Sequence, residues 1–266
     1  MDLGSWHDAH FNAKNFNRLT GRIHQDYDLW LIRNRLHFHR AIHTGHLFNF
    51  PVEGRGGGHG LQVNVLRGVD MKKNPERFPL VTVNGERKRI RDGGQICFSD
   101  PRNREAAVNH VLAWYAKYDA EREKRVTDLD EVCADLSLAD CLGLCECPQC
   151  RKIAGDGPFA NDRLVWNFMN YVASEIAKKR PDAAISFFVP YSGSGLRQPP
   201  PDVRIQPNIV PITCRTEAVI MGKHYPFNTT FYEDITAIRK QGAVNMQNYD
   251  YLLYETTPQP LNILDA

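Results

Sequence analysis

The sequence predicts an α/β fold of the kind in which β/α units close into an eight-fold, TIM-barrel-like ring. Three observations carry that expectation. AISFFVPY (184–191) is an unbroken apolar run, the pattern of a strand buried on both faces of a parallel sheet. Just upstream, Leu164, Val165, Phe168, Val172 and Ile176 recur at helical spacing. From about residue 130 onward, strand and helix patterns alternate, which favours parallel pairing through right-handed crossovers. Fewer than eight β/α units can be counted, so the chain is a full barrel or a part of one whose remaining strands lie outside it. No linker composition interrupts the 266 residues, and 1–266 reads as one domain.

The elements follow in chain order. Residues 1–50 are polar and aromatic, with His7, His10, His24, His37, His39, His43 and His46. Trp30–His39 reads as a helix end or a strand. Gly54–Gly60 is a loop, because so many glycines give up backbone entropy to allow close approach. LQVNVL (61–66) alternates and predicts a short strand. LVTV, Asn84-Gly85 and ERKRI predict a hairpin, since Asn-Gly supplies the positive φ of a tight turn. Ser99-Asp100-Pro101 starts a helix that runs to about Glu123, with Ala107, Val111, Trp114 and Tyr115 on one face. ADLSLAD (134–140) predicts a strand that ends in a cysteine-rich loop. Asn161 or Asp162 caps the next helix, which stops before Pro181. NIVPITC (208–214) predicts another strand, Phe231–Lys240 a short helix, and YDYLLYE (249–255) a strand-like end.

Composition excludes several classes. Hydrophobic residues at 42% and charged residues at 24% are globular values, against disorder or a coiled coil. A net charge of +2 is too mild to imply nucleic acid. No apolar run approaches the roughly 20 residues of a membrane span. The polar N-terminus does not read as a signal peptide. Localisation and oligomeric state stay open. No G-x-G-x-x-G, Walker or H-E-x-x-H sequence occurs, and Gly193-Ser194-Gly195 lacks nucleophile-elbow spacing.

The strongest local signal is Cys145-x-Cys147-x-x-Cys150. Three thiolates within a tight turn can bind one structural Zn²⁺, with Cys141 or a histidine as fourth ligand. A small disulfide and reduced thiols in a packed loop are the alternatives. Pro148 stiffens the turn, and the lone Cys97 and Cys214 read as core filling.

Several phrases together carry a family resemblance: WLIRNRL, GGGHG, NPERFPLVTVNGERKR, GGQICFSDP, LSLADCLGLCECPQCRK, FMNYVASEIAKKRPDAAISFFVPY, IVPITCR and YDYLLYET. They resemble the bacterial domain-of-unknown-function family 4838, over about Asp28 to Asn262. That family is similar to TIM-barrel glycoside hydrolases, including α-glucuronidase-like enzymes. The resemblance implies a barrel, a polysaccharide or oligosaccharide as substrate or ligand, and frequent export. The family often has Asn before the strand-end aspartate, where this chain has Ala139, which removes one polar contact to a sugar.

Asp140 then becomes the candidate general acid. The carboxyl end of a barrel strand faces the active-site mouth, and a carboxyl there can protonate a leaving glycosidic oxygen or stabilise charge on the sugar ring. A turn-capping aspartate is the other reading. A hydrolase needs a second carboxylate about 5–10 Å away. Asp250 is the first choice because Tyr249 and Tyr251 flank it, with Glu217 and Glu255 behind. His59 in the glycine loop, together with Arg33, Arg35 and Arg215, is placed as a sugar or sugar-acid ligand. Trp30, Tyr191 and Tyr249 are stacking candidates as well as core candidates. The expected function is glycoside hydrolysis. The alternatives are a non-catalytic carbohydrate-binding module or a zinc-stabilised structural domain.

Overall fold

The computed structural model describes residues 59–122, 133–141, 143–191, 194–214 and 226–249. Cα packing divides the chain into two units, Met1–Gly57 with Glu121–Leu129, and Gly58–Ala120 with Asp130–Ala266. Apart from Glu121 and Arg122, the described residues all belong to the second unit. The Trp30–His39 segment, Gly54–Gly58 and the residues after Tyr249 lie outside them.

In chain order the elements are α1 (Leu61–Val65), β1 (Leu80–Val83), β2 (Glu86–Arg89), α2 (Pro101–Arg122), β3 (Cys133–Asp135), α3 (Pro148–Ala154), α4 (Ala160–Lys179), β4 (Ala184–Tyr191), β5 (Ile209–Cys214), α5 (Pro226–Lys240) and β6 (Gln247–Tyr249). β1 and β2 form the expected hairpin, with Val83 opposite Glu86. Asn84 and Gly85 both take positive φ, 52° and 82°, as a two-residue turn of this hand requires.

β3, β4, β5 and β6 form one sheet in that spatial order, and every neighbouring pair is parallel. Spatial order therefore equals chain order, with α3 and α4 between β3 and β4, α5 between β5 and β6, and no α-helix among the described residues between β4 and β5. The α/β class is as the alternation predicts, but a closed eight-strand ring is not formed among the described residues. Their parallel sheet is open and has four strands. Upstream of it, the described segments contribute a hairpin and helices rather than further parallel strands.

LQVNVL is helix α1 and not a strand. A strand would put Leu61, Val63 and Val65 on one face. Instead Leu61 and Val65, four residues apart, are buried and Val63 is 62% exposed. ADLSLAD pairs as a strand only over Cys133–Asp135. Beyond it the Asp135 carboxylate accepts from Ser137 N and Oγ, at 3.2 and 2.6 Å. Ser137 Oγ in turn accepts the Phe188 N–H at 3.1 Å, standing where a ladder carbonyl would. Side-chain bonds of this kind end a ladder early.

The core lies where the sheet meets α2 and α4. β4 is buried along its interior, as its unbroken apolar sequence predicts. Trp166 of α4 meets Phe187 edge-on at 4.9 Å, and Phe168 meets Phe98 at 5.3 Å. Tyr115 of α2 anchors the start of β4, donating to Ala184 O at 2.9 Å and accepting from Ala184 N at 2.8 Å. The β4–β5 register shifts between Phe188 and Tyr191. In an unbroken strand these residues would face opposite ways. The shift brings their rings within 5.3 Å on one side.

Neither Asn161 nor Asp162 caps α4; its N-cap is Phe159, with no side-chain cap bond. Asp162 is buried inside the first turn and accepts Arg197 N at 2.8 Å. Burial, aided by the charge of Asp234, raises its carboxyl from the ordinary 3.8 up to about 6. The native state therefore binds this proton more tightly than the unfolded chain does. The stabilisation is complete below pH 3.8 and is lost as pH rises through about 6, amounting to about 3 kcal/mol at most. Asp162→Asn keeps an oxygen for Arg197 N and carries no charge. Its melting temperature is expected above wild type at pH 8 and close to it at pH 4, read by thermal denaturation at both pH values. An equal difference at both would remove Asp162 from this role.

Candidate functional site

Two arms of chain meet at a cluster of sulfur. One arm is Gln95–Pro101, leading into α2; the other is Gly143–Ala154, ending in α3. Cys147 is the N-cap of α3, Pro148 occupies its first turn, and Cys147 Sγ accepts Cys150 N at 3.4 Å. A helix here, where a loop was expected, has its signal in Cys-Pro: an extended residue followed by a pre-set φ.

The Sγ atoms of Cys97, Cys145, Cys147 and Cys150 all lie within 4.8 Å of one another, and all four residues are buried. Cys97 Sγ is 3.7 Å from Cys147 Sγ and 3.9 Å from Cys150 Sγ. A tetrahedral metal with bonds of about 2.3 Å to sulfur sets S···S edges of about 3.8 Å. The described cysteines, these four included, are free thiols. Four buried cysteines are thus close enough to hold one metal ion.

The surroundings suit thiolate charge. Leu80 N donates to Cys145 Sγ at 3.3 Å. Ser99 Oγ lies 3.4, 3.5 and 3.1 Å from the sulfurs of Cys97, Cys147 and Cys150. Hydrogen bonds from Cys145 and Cys150 draw the Cys97 thiol far down, and its proximity to Cys145 and Cys97 pushes the Cys150 thiol far up. Cys97 is thus the sulfur that ionises readily and Cys150 the one that resists; a cation at their centre would draw the thiolates out.

The fourth sulfur corrects the expectation. Cys141 stands outside the cluster, its Sγ 3.1 Å from Gln95 Nε2, and burial raises its thiol. Cys97, expected to fill core space, completes the set instead. Its signal was chemical rather than local. Three thiols leave a closed tetrahedral site one short, and no spacing in the sequence points to Cys97 as the fourth.

The hairpin closes over this loop by gripping Glu146, the residue between two of the cysteines. Glu146 N donates to Leu80 O at 2.7 Å, Thr82 Oγ1 to Glu146 Oε2 at 3.0 Å, and Arg87 to Glu146 O at 2.6 Å.

Asp140 lies at the carboxyl edge of the sheet, past the end of β3. Leu136, Ser137 and Leu138 before it are buried, but its side chain is 58% exposed. Tyr191 Oη, at the end of β4, donates to Asp140 Oδ1. His59 Nε2 is 3.3 Å from Asp140 Oδ2, and His59 Nδ1 is 2.7 Å from Leu138 O. A carbonyl can only accept, so Nδ1 carries a proton. With Nδ1 engaged on the Leu138 carbonyl, Nε2 is the ring nitrogen left beside the Asp140 carboxylate. The His59 ring also packs at 5.5 Å from Phe188 and 5.7 Å from Tyr191.

The structure therefore joins two of the expected site residues, Asp140 and His59. It adds Tyr191, expected as a stacking platform, as a hydrogen-bond donor to the acid. Asp250, Arg33, Arg35, Arg215, Glu217, Glu255 and Trp30 lie outside the described residues, and Tyr249 is described by its backbone alone, in β6. Among the described residues no helix is long and apolar enough to cross a membrane.

The family model for a domain of unknown function, DUF4838, matches residues 23–260, and the chain belongs to that family. No curated protein and no solved structure matches it.

The two arms touch backbone to backbone at Gly143, which forms an isolated parallel bridge with Gly94. A Cβ at Gly143 would stand 2.6 Å from Gly93 O and 2.8 Å from Gly94 Cα. Backbone cannot step aside as a flexible side chain can. Gly143→Ala is expected to cost about 1–3 kcal/mol in urea denaturation. Wild-type stability in that variant would show that the arms can separate freely.

Proposed function

We propose that this chain acts on carbohydrate at the sheet's carboxyl edge, with Asp140 as the reacting acid and a structural Zn²⁺ holding the loop beside it. One observation carries the reading: an exposed carboxyl at the end of a parallel strand, with an imidazole and a phenol on its two oxygens. Strand ends of this kind are where β/α-barrel enzymes place their chemistry. The chain-order winding of the parallel sheet supports a barrel segment. The resemblance of the family to glycoside hydrolases supplies the substrate class.

Asp140, in its protonated form, is the acid that would deliver a proton to a leaving glycosidic oxygen. The Leu138 carbonyl holds the imidazole by its far nitrogen, so the near nitrogen stays beside the carboxyl. Tyr191 fixes the other carboxyl oxygen. Phe188 and Tyr191 add an aromatic wall. Asp250, on the chain just after β6, is the proposed second carboxylate, because β6 belongs to the same sheet.

Zn²⁺ fits the sulfur set better than a catalytic metal would. Four thiolates close the coordination sphere and leave no open position for substrate. Zn²⁺ would supply folding energy and hold the two arms together.

A second reading is a carbohydrate-binding module without turnover. Ala139, which stands where the family often has Asn, favours it.

Asp140→Asn is expected to lower reducing-sugar release from a polysaccharide panel by at least about a hundredfold, with the melting temperature nearly unchanged. Oligosaccharide binding without release would favour the binding module. Neither binding nor release would overturn both readings. Separately, elemental analysis of the full chain is expected to find one zinc per chain. That zinc should be retained by Cys141→Ser and lost by Cys97→Ser, with a lower melting temperature in a chelator. A metal-free wild type, or equal loss in both variants, would overturn the zinc assignment.

A further inference from the structure

Gln95 is polar and has no exposed surface. Its carboxamide offers two N–H donors and one acceptor oxygen. Nε2 lies 2.8 Å from Ala139 O, 2.9 Å from Cys141 O and 3.1 Å from Cys141 Sγ. Oε1 accepts Ala139 N at 3.1 Å. The amide's orientation follows from chemistry: reversed, its oxygen would face two carbonyl oxygens and its nitrogen an N–H.

The partners are the residues immediately before and after Asp140. One buried side chain thus grips the backbone on both sides of the acid and leaves the carboxyl to His59, Tyr191 and solvent. The grip is itself anchored. Gln95 N donates to Gly143 O at 2.9 Å, on the arm that continues to Cys145. Two residues after Gln95 comes Cys97, on the other arm. A side chain that only filled space here would be apolar, because burying an amide costs free energy unless every group is paired. Here every group is paired, and all of the pairing goes to the two residues that flank Asp140.

We infer that Gln95 is the positioning residue of Asp140, and that it links the backbone bearing the acid to the arms of the sulfur cluster. As a claim about catalysis this rests on the reading of Asp140 as the reacting acid; as a claim about geometry it does not. The experiment separates the two.

The imidazole nitrogen signals of His59 would be recorded by NMR on the full-length wild type, Gln95→Leu, Gln95→Glu and Asp140→Asn, and assigned by their loss in His59→Gln. Because one His59 nitrogen bonds residue 138 and the other lies 3.3 Å from the Asp140 carboxylate, its signals report the acid's placement. Gln95→Leu is expected to move them as far as Asp140→Asn does, while the His110 signals and the metal content match wild type. Gln95→Glu removes both donors from the two carbonyls with little change of shape, so it is expected to move them too, and it stands in if the leucine variant does not fold. A lowered melting temperature with wild-type His59 signals in a folded variant would overturn the inference and reduce Gln95 to core packing. Where wild type releases sugar, the same variant is expected to lose about a hundredfold in kcat at unchanged KM. Where wild type releases none, the Asp140 reading fails alone and the NMR result still decides the role of Gln95.

Discussion

Four buried sulfurs within 4.8 Å of one another are a constraint that ordinary packing does not explain. Thiols pack acceptably among apolar groups, but nothing in hydrophobic burial draws four of them to one point. Their convergence ties together segments that no strand pairing joins. Cys97 brings the run into α2, Cys147 and Cys150 bring α3, and Cys145 takes an N–H from Leu80 at the start of the hairpin. The hairpin then holds Glu146 by its backbone and its carboxylate. Take away the sulfur centre and this corner keeps a short helix, a two-stranded hairpin and a glycine contact, each too small to stand alone. The parallel sheet needs no such clip, because β4 and α4 already bury a continuous apolar interface.

The edge that carries Asp140 depends on two departures from regular sheet. The first is the early end of β3, where the Ser137 hydroxyl takes the Phe188 N–H and frees the following residues from the ladder. The second is the register shift in β4, which puts Phe188 and Tyr191 on one side. Without the first, Asp140 would continue an extended strand. Without the second, Tyr191 would face away from it. Irregularities of this sort are where sheets re-aim side chains.

How much of this was legible follows from how local each cause is. AISFFVPY and the helix before it were read correctly because burial on both faces leaves an unbroken apolar run and one apolar stripe. The Asn-Gly hairpin was read because a positive-φ turn has its own residues. LQVNVL was misread, since three alternating apolar positions fit a strand as well as one turn of helix, and only the exposure of Val63 separates them. Asp162 was taken for a cap, a local role, when its partner Arg197 is 35 residues away. Cys97 and Gln95 left no local pattern at all, because their partners are about 45 to 55 residues distant in sequence. Spacing singled out three of the four sulfurs; only the fold could supply the last.

The exchange of Cys141 for Cys97 has a chemical consequence. Had Cys141 been the fourth ligand, Asp140 would adjoin a metal-bound thiolate, and its carboxyl would sit within the field of the cation and its four sulfurs. With Cys97 in that place, residues 141 to 144 become a spacer, and Gln95 binds the near end of it. A metal held by these four sulfurs would keep its charge inside the buried corner, away from the exposed Asp140 carboxyl. The neighbours of the carboxyl are then the Tyr191 phenol, which donates to one oxygen, and the His59 imidazole, which lies beside the other. On the proposed reading of Asp140 as an acid, a backbone fixed by Gln95 beneath an exposed carboxyl is what proton transfer to a bound ligand would draw on.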